Sequence, residues 1–109
     1  MGEIQAEGYA IFKKNGDRFD VLRHTVRYGF EWICGPGTLA ERLKDAQIFL
    51  VPELCNQMQR NAWWVSEAEF AIMVGHDQNG AVAAVDEKQI PFQQMCQGFA
   101  VGAEILQNR

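Results

Sequence analysis

A chain of 109 residues, 48% of them hydrophobic, fits a single domain (1–109) and can bury a core without disulfide or metal staples. A net charge of −4 argues against a nucleic-acid-binding surface, and no apolar run approaches the roughly 20 residues that span a bilayer. The charge is uneven: residues 1–44 carry seven Lys/Arg against six acids, while residues 45–109 carry three against eight, an asymmetry able to orient a partner or a second copy.

Taken in chain order, MGEIQAEGYA has neither the basic-then-apolar layout of a signal peptide nor a myristoylation pattern, which points to a cytoplasmic protein. Residues 8–14, GYAIFKK, are a short mixed-apolar run ending at Asn15-Gly16. Both residues of that pair tolerate positive φ, so it predicts a type I′ hairpin with a partner strand from Arg18.

The segment that follows, RFDVLRHTVRYGFEWIC (18–34), reads in two ways. With period two, His24, Val26, Tyr28, Phe30 and Trp32 share one face, and Arg23, Thr25, Arg27 and Glu31 share the other. With period 3.6, Phe19, Leu22, Val26, Phe30 and Ile33 form an apolar stripe capped by Asp17 and ended by Gly35. The preceding turn, the β-rich composition and Gly29 favour strand.

Next, Thr38-Leu39-Ala40-Glu41 is a capping box, followed by Leu39, Leu43, Ala46 and Leu50 at helical spacing. Pro52 ends that helix or starts a second one running to about Ala62. Ser66–Glu69 repeats the capping pattern, but Phe70–Val74 is an apolar run that suits a buried strand or a short buried helix equally well. With Asp77-Gln78-Asn79-Gly80 as a turn and Ala81–Val85 as its partner, two buried strands are expected. Pro91 at a first helical position, then Phe92, Met95, Phe99, Ala103 and Leu106, predicts a closing helix. Gly98 and Gly102 on it would permit close packing of another backbone.

No catalytic motif completes itself, so no catalytic residue is assigned. Cys34 and His24 lie ten residues apart, about 33 Å along a straight strand and about 15 Å along a helix, too far to pair. Cys34, Cys55 and Cys96 show no ligand spacing and are expected as reduced, mostly buried thiols; no metal site and no cofactor is expected. Gly35-Pro36-Gly37-Thr38 lacks the lysine of a phosphate loop and is a strand-to-helix connection. His24 is a boundary histidine and His76-Asp77 an exposed loop pair. Glu67, Glu69, Asp86 and Glu87 are solvated surface. Adjacent tryptophans rarely sink into one core, so one of Trp63 and Trp64 is core and the other lies at a boundary, pocket or interface.

The expected fold is α+β: a small antiparallel sheet with helices near 38–61 and 91–107 packed on one face. A mostly α-helical domain, with 18–34 also helical, is the alternative. The small, acidic, motif-poor profile resembles accessory proteins carried on mobile elements, a resemblance of type that rests on no particular residue. The function expected is that of a binding or interaction protein without catalytic machinery, self-associating as a homodimer or meeting a protein partner, away from nucleic acid and membrane. Small-molecule binding in an aromatic-lined pocket is the alternative, and a Cys- or His-dependent enzyme is the third reading. Candidate binding residues are Tyr28, Phe30, Trp32, Trp63, Trp64, Arg23 and Arg27.

Overall fold

The computed structural model describes residues 3–95, 97 and 98. Five strands pair throughout in antiparallel fashion: β1 (Gly8–Asn15), β2 (Arg18–Thr25), β3 (Gly29–Ile33), β4 (Phe70–His76) and β5 (Val82–Pro91). Their order across the sheet is β3-β2-β1-β4-β5, which makes β1 the central strand and β3 and β5 the edges. The helices are short: α1 (Leu39–Arg42), a 3₁₀ turn (Leu43–Asp45), and α2 (Val51–Gln59). The α+β class holds, and residues 18–34 are strand rather than helix.

The first hairpin forms where expected, one residue later than the Asn-Gly pair implies. Asn15 pairs with Arg18, so Gly16 and Asp17 are the two central residues. Positive φ falls on Gly16 alone (63°), the pattern of a II′ turn rather than I′. The expected single strand over 18–34 is in fact two. Val26, Arg27 and Tyr28 reverse the chain, and Gly29 adopts the left-handed φ of 72° that ends a three-residue hairpin loop. Thr25 closes this loop, its Oγ1 accepting from Tyr28 N (3.1 Å) and donating to the Gly29 carbonyl (3.2 Å).

The capping box at Thr38 is present, with Thr38 Oγ1 accepting from Glu41 N, but its helix stops after Arg42 and one 3₁₀ turn. The expected stripe to Leu50 fails because Ala46 turns extended (ψ 158°). Phe49 then bridges Tyr9, each backbone N–H donating to the other's carbonyl at 2.9 Å. That bridge satisfies the start of β1 and sinks the Phe49 ring completely, which a continued helix would not do. Pro52 does start α2, which ends short of Ala62 as Asn61 takes φ 52°. Ser66 caps no helix; its hydroxyl turns to the Trp63 carbonyl, and β4 follows.

Apolar side chains line both faces of the sheet. On one, Ile11, Leu22 and Ala71 pack with Phe49, Leu54 of α2, Trp64, Phe92 and Met95. On the other, Phe12, Val21, Phe70, Ile72 and Val74 pack with Leu43 and Ala46 beyond α1. The helical cover is thus divided between the two faces. Pro91 closes β5, and the final helix begins at residue 92. Cys96, Phe99, Gly102, Ala103 and Leu106 of the expected closing helix lie outside the described residues.

Candidate functional site

The aromatic face read from the sequence is divided by the turn at 26–28. Phe30 is stacked on His24, its cross-strand partner, at 4.4 Å between centroids, and it also meets Phe49 (6.0 Å) and Trp64 (5.6 Å). Trp64 in turn meets Phe92 at 5.7 Å. These rings fill one another's space; Trp64, Phe49 and Phe92 are wholly buried. Trp64 therefore belongs to the packed core, and Phe30, half-buried, packs against it.

The other expected binding residues do not join them. Tyr28 stands on the β2–β3 turn, 68% exposed, with the Arg27 guanidinium 5.3 Å from its ring centre. Arg23 reaches back to the Asp45 carbonyl (3.3 Å). Of the tryptophan pair, Trp64 is core and Trp63 is 55% exposed, the division that adjacency implies. Cys34 is exposed rather than buried, and Cys55 is half-buried; both are free thiols. His24 pairs across the hairpin with Phe30, which puts Cys34 four residues further along, about 13 Å away. The conclusion that they do not pair stands, although the straight-strand distance does not.

Residue-type reasoning passed over a cluster on the same face as Trp32. Lys13 lies opposite Asp20 in the first hairpin, its ammonium 5.1 Å from the Trp32 ring centre and 3.7 Å from Glu67. Asp20 is 5% exposed, and its Oδ1 and the Trp32 Nε1 are both buried with no hydrogen-bond partner among the described residues. Counting back from the expected Asn15-Gly16 turn sets Lys13 against Arg18; the shift of the turn to Gly16-Asp17 is what brings Asp20 opposite Lys13.

Arg42, the other buried charge at 3% exposure, ties α1 to the sheet. Its guanidinium donates to the carbonyls of Phe19 (3.1 Å) and Ile33 (2.8 Å) and to the Asp45 carboxylate (2.5 Å). A methyl group on Gly35 would sit 2.6 Å from Arg42 Nη1, so the glycine makes room for this anchor. The Gly35–Thr38 stretch is thereby a strand-to-helix connection.

Between α1 and β5 runs a groove of about 560 Å³, lined by Leu39, Leu43, Ile72, Val82 and Ala84, with Lys44 and Glu87 among its polar margins. None of the seven expected binding residues lines it. Among the described residues no group of three or more His, Cys, Asp or Glu is placed to hold a metal ion, and no helix is long and apolar enough to cross a membrane. No protein-family model, curated protein or solved structure matches this chain.

Proposed function

We propose that the protein is a binding protein that works by contact and associates with a second copy of itself. Four large apolar side chains turned to solvent at one end of the sheet carry this reading: Val26 (108%), Tyr28 (68%), Leu50 (53%) and Val51 (38%). Val26 and Tyr28 sit on the β2–β3 turn. Leu50 and Val51 follow the crossing segment that takes the His24 N–H on Gln47 and bridges Tyr9 through Phe49, so both pairs belong to the same end. Exposed apolar residues scattered singly need no explanation, whereas several gathered at one end suit a contact surface. The free thiols of Cys34 and Cys55 support a reducing, cytoplasmic setting.

Size-exclusion chromatography with light scattering tests it. A concentration-dependent dimer is expected, returned to monomer by Val26→Asp combined with Leu50→Asp. A chain that stays monomeric at high micromolar concentration overturns the reading.

A second reading, binding of a small apolar or aromatic ligand, is supported by the α1–β5 groove rather than by the aromatic residues first expected to line a pocket. Its mark is a melting temperature that rises with ligand concentration and stops rising when Leu43→Trp fills the groove.

A further inference from the structure

We infer that the outer edge of β3 is a docking site for an extended peptide strand carrying a basic residue between two apolar ones. The inference rests on the reading that the protein works by contact, and it names a partner and a place.

The backbone provides the first part of the argument. The His24 N–H donates to Gln47 Oε1 at 2.9 Å and not to Phe30, its partner across the hairpin. His24 and Phe30 are therefore a non-hydrogen-bonded pair, and alternation gives Trp32 the same standing. The N–H and C=O groups of Phe30 and Trp32 consequently point away from β2, toward the open side of the sheet. Among the described residues no backbone hydrogen bond reaches them from outside the hairpin. An incoming antiparallel strand would exchange two pairs of hydrogen bonds there.

Charge specifies the occupant. The side chain of Glu31, between those two residues, is half-buried and makes no hydrogen bond or ion pair with any described residue. Its cross-strand neighbour Arg23 is turned to the Asp45 carbonyl instead. The residue of an added strand directly opposite Glu31 would form a non-hydrogen-bonded pair, in which side chains approach most closely. A lysine or arginine there supplies the missing cation. The residues on either side would fall beside Phe30 and Trp32, where β-branched apolar side chains pack.

The opposite edge shows what a protected edge looks like in this fold. β5 shifts register twice against β4, and Asp86, Glu87 and Lys88 are exposed along it. Bulges and charges of this kind discourage edge pairing. β3 has an uninterrupted register with β2 and one acid, Glu31, in its centre.

The test is fluorescence anisotropy with a labelled, capped peptide, Thr-Thr-Val-Lys-Val-Thr-Thr, titrated with the full chain and repeated with Glu in place of Lys. The Lys peptide is expected to bind roughly three- to ten-fold more tightly, from one favourable against one unfavourable cross-strand charge pair. Glu31→Lys reverses the order, and Glu31→Gln, which keeps the shape of the side chain, abolishes the preference. N-methylation of the two valines removes binding. The proposal is overturned if neither peptide binds at millimolar concentration, if the preference survives Glu31→Lys unreversed, or if a second copy of the chain occupies this edge and excludes the peptide. Failure here with an intact dimer leaves the self-association reading standing; peptide binding by a monomer does the opposite.

Discussion

Arg42 shows why a buried charge can hold an element in place. Its side chain spans α1, the end of β3 and β2, and satisfies two backbone carbonyls that would otherwise be left with one partner fewer in the interior. A hydrogen bond to a charged group contributes about 1.5–3 kcal/mol, and stranding buried partners costs more than the bond itself. Arg42→Ala is expected to lower stability by about 3 kcal/mol in urea unfolding. A loss under 1 kcal/mol would mean that water replaces the guanidinium at both carbonyls. The Arg42–Asp45 pair adds little, because Asp45 is 57% exposed and an exposed pair is screened. Nothing in the sequence marked Arg42 as special. A lone arginine after a capping box reads as a solvated helix end, and only the tertiary approach of Phe19, Ile33 and Gly35 makes it an anchor.

At the level of elements, local chemistry was legible and its reach was not. The Thr38 capping box, the Asp77–Gly80 turn and the strand character of 18–34 all follow from residue type. Asp77 Oδ1 accepts from both Asn79 N and Ala81 N, as a turn-forming aspartate should. What residue type did not reveal is where an element stops. Gly29 was counted against helix, yet its role is to end a second hairpin, and that placed Tyr28 on a turn rather than beside Phe30. The helix after Thr38 ended because Phe49 is worth more as a bridge to β1 than as a helical residue, a long-range gain invisible in a local window. Gly8 marks that bridge: a Cβ there would lie 2.3 Å from the Phe49 carbonyl oxygen. Gly8→Ala is therefore expected to break the crossing and cost about 2 kcal/mol or more. Gly80→Ala, with open space around it, costs only the strain of its φ of 80°, about 1 kcal/mol. Thermal melts of the two variants check the order.

For the whole molecule, the decisive fact is that the first strand is the central one. β1 pairs with β2 through a tight hairpin and with β4 some sixty residues later, Phe12 meeting Phe70 in both register and stacked rings (5.3 Å). Loop closure of that length must precede the contacts that repay it, so folding in the millisecond-to-second range is expected, as for other sheets dominated by non-local pairing. Stopped-flow refolding followed by tryptophan fluorescence tests this through Trp64, which becomes wholly buried. Refolding within microseconds would contradict the argument. The segment 46–49, which bridges only the start of β1, cannot replace β4.

The same connectivity has a consequence for synthesis. Translation delivers the β1–β2 hairpin once Thr25 has emerged, but β4 is complete only at His76. At about 5–20 residues per second, the edge of β1 waits roughly 3–10 s for its partner. During that interval Ala10 and Phe12 face solvent beside an unpaired backbone, the arrangement that recruits strands from neighbouring nascent chains. Pairing between neighbouring nascent chains through this edge is therefore expected to compete with native folding until β4 is complete.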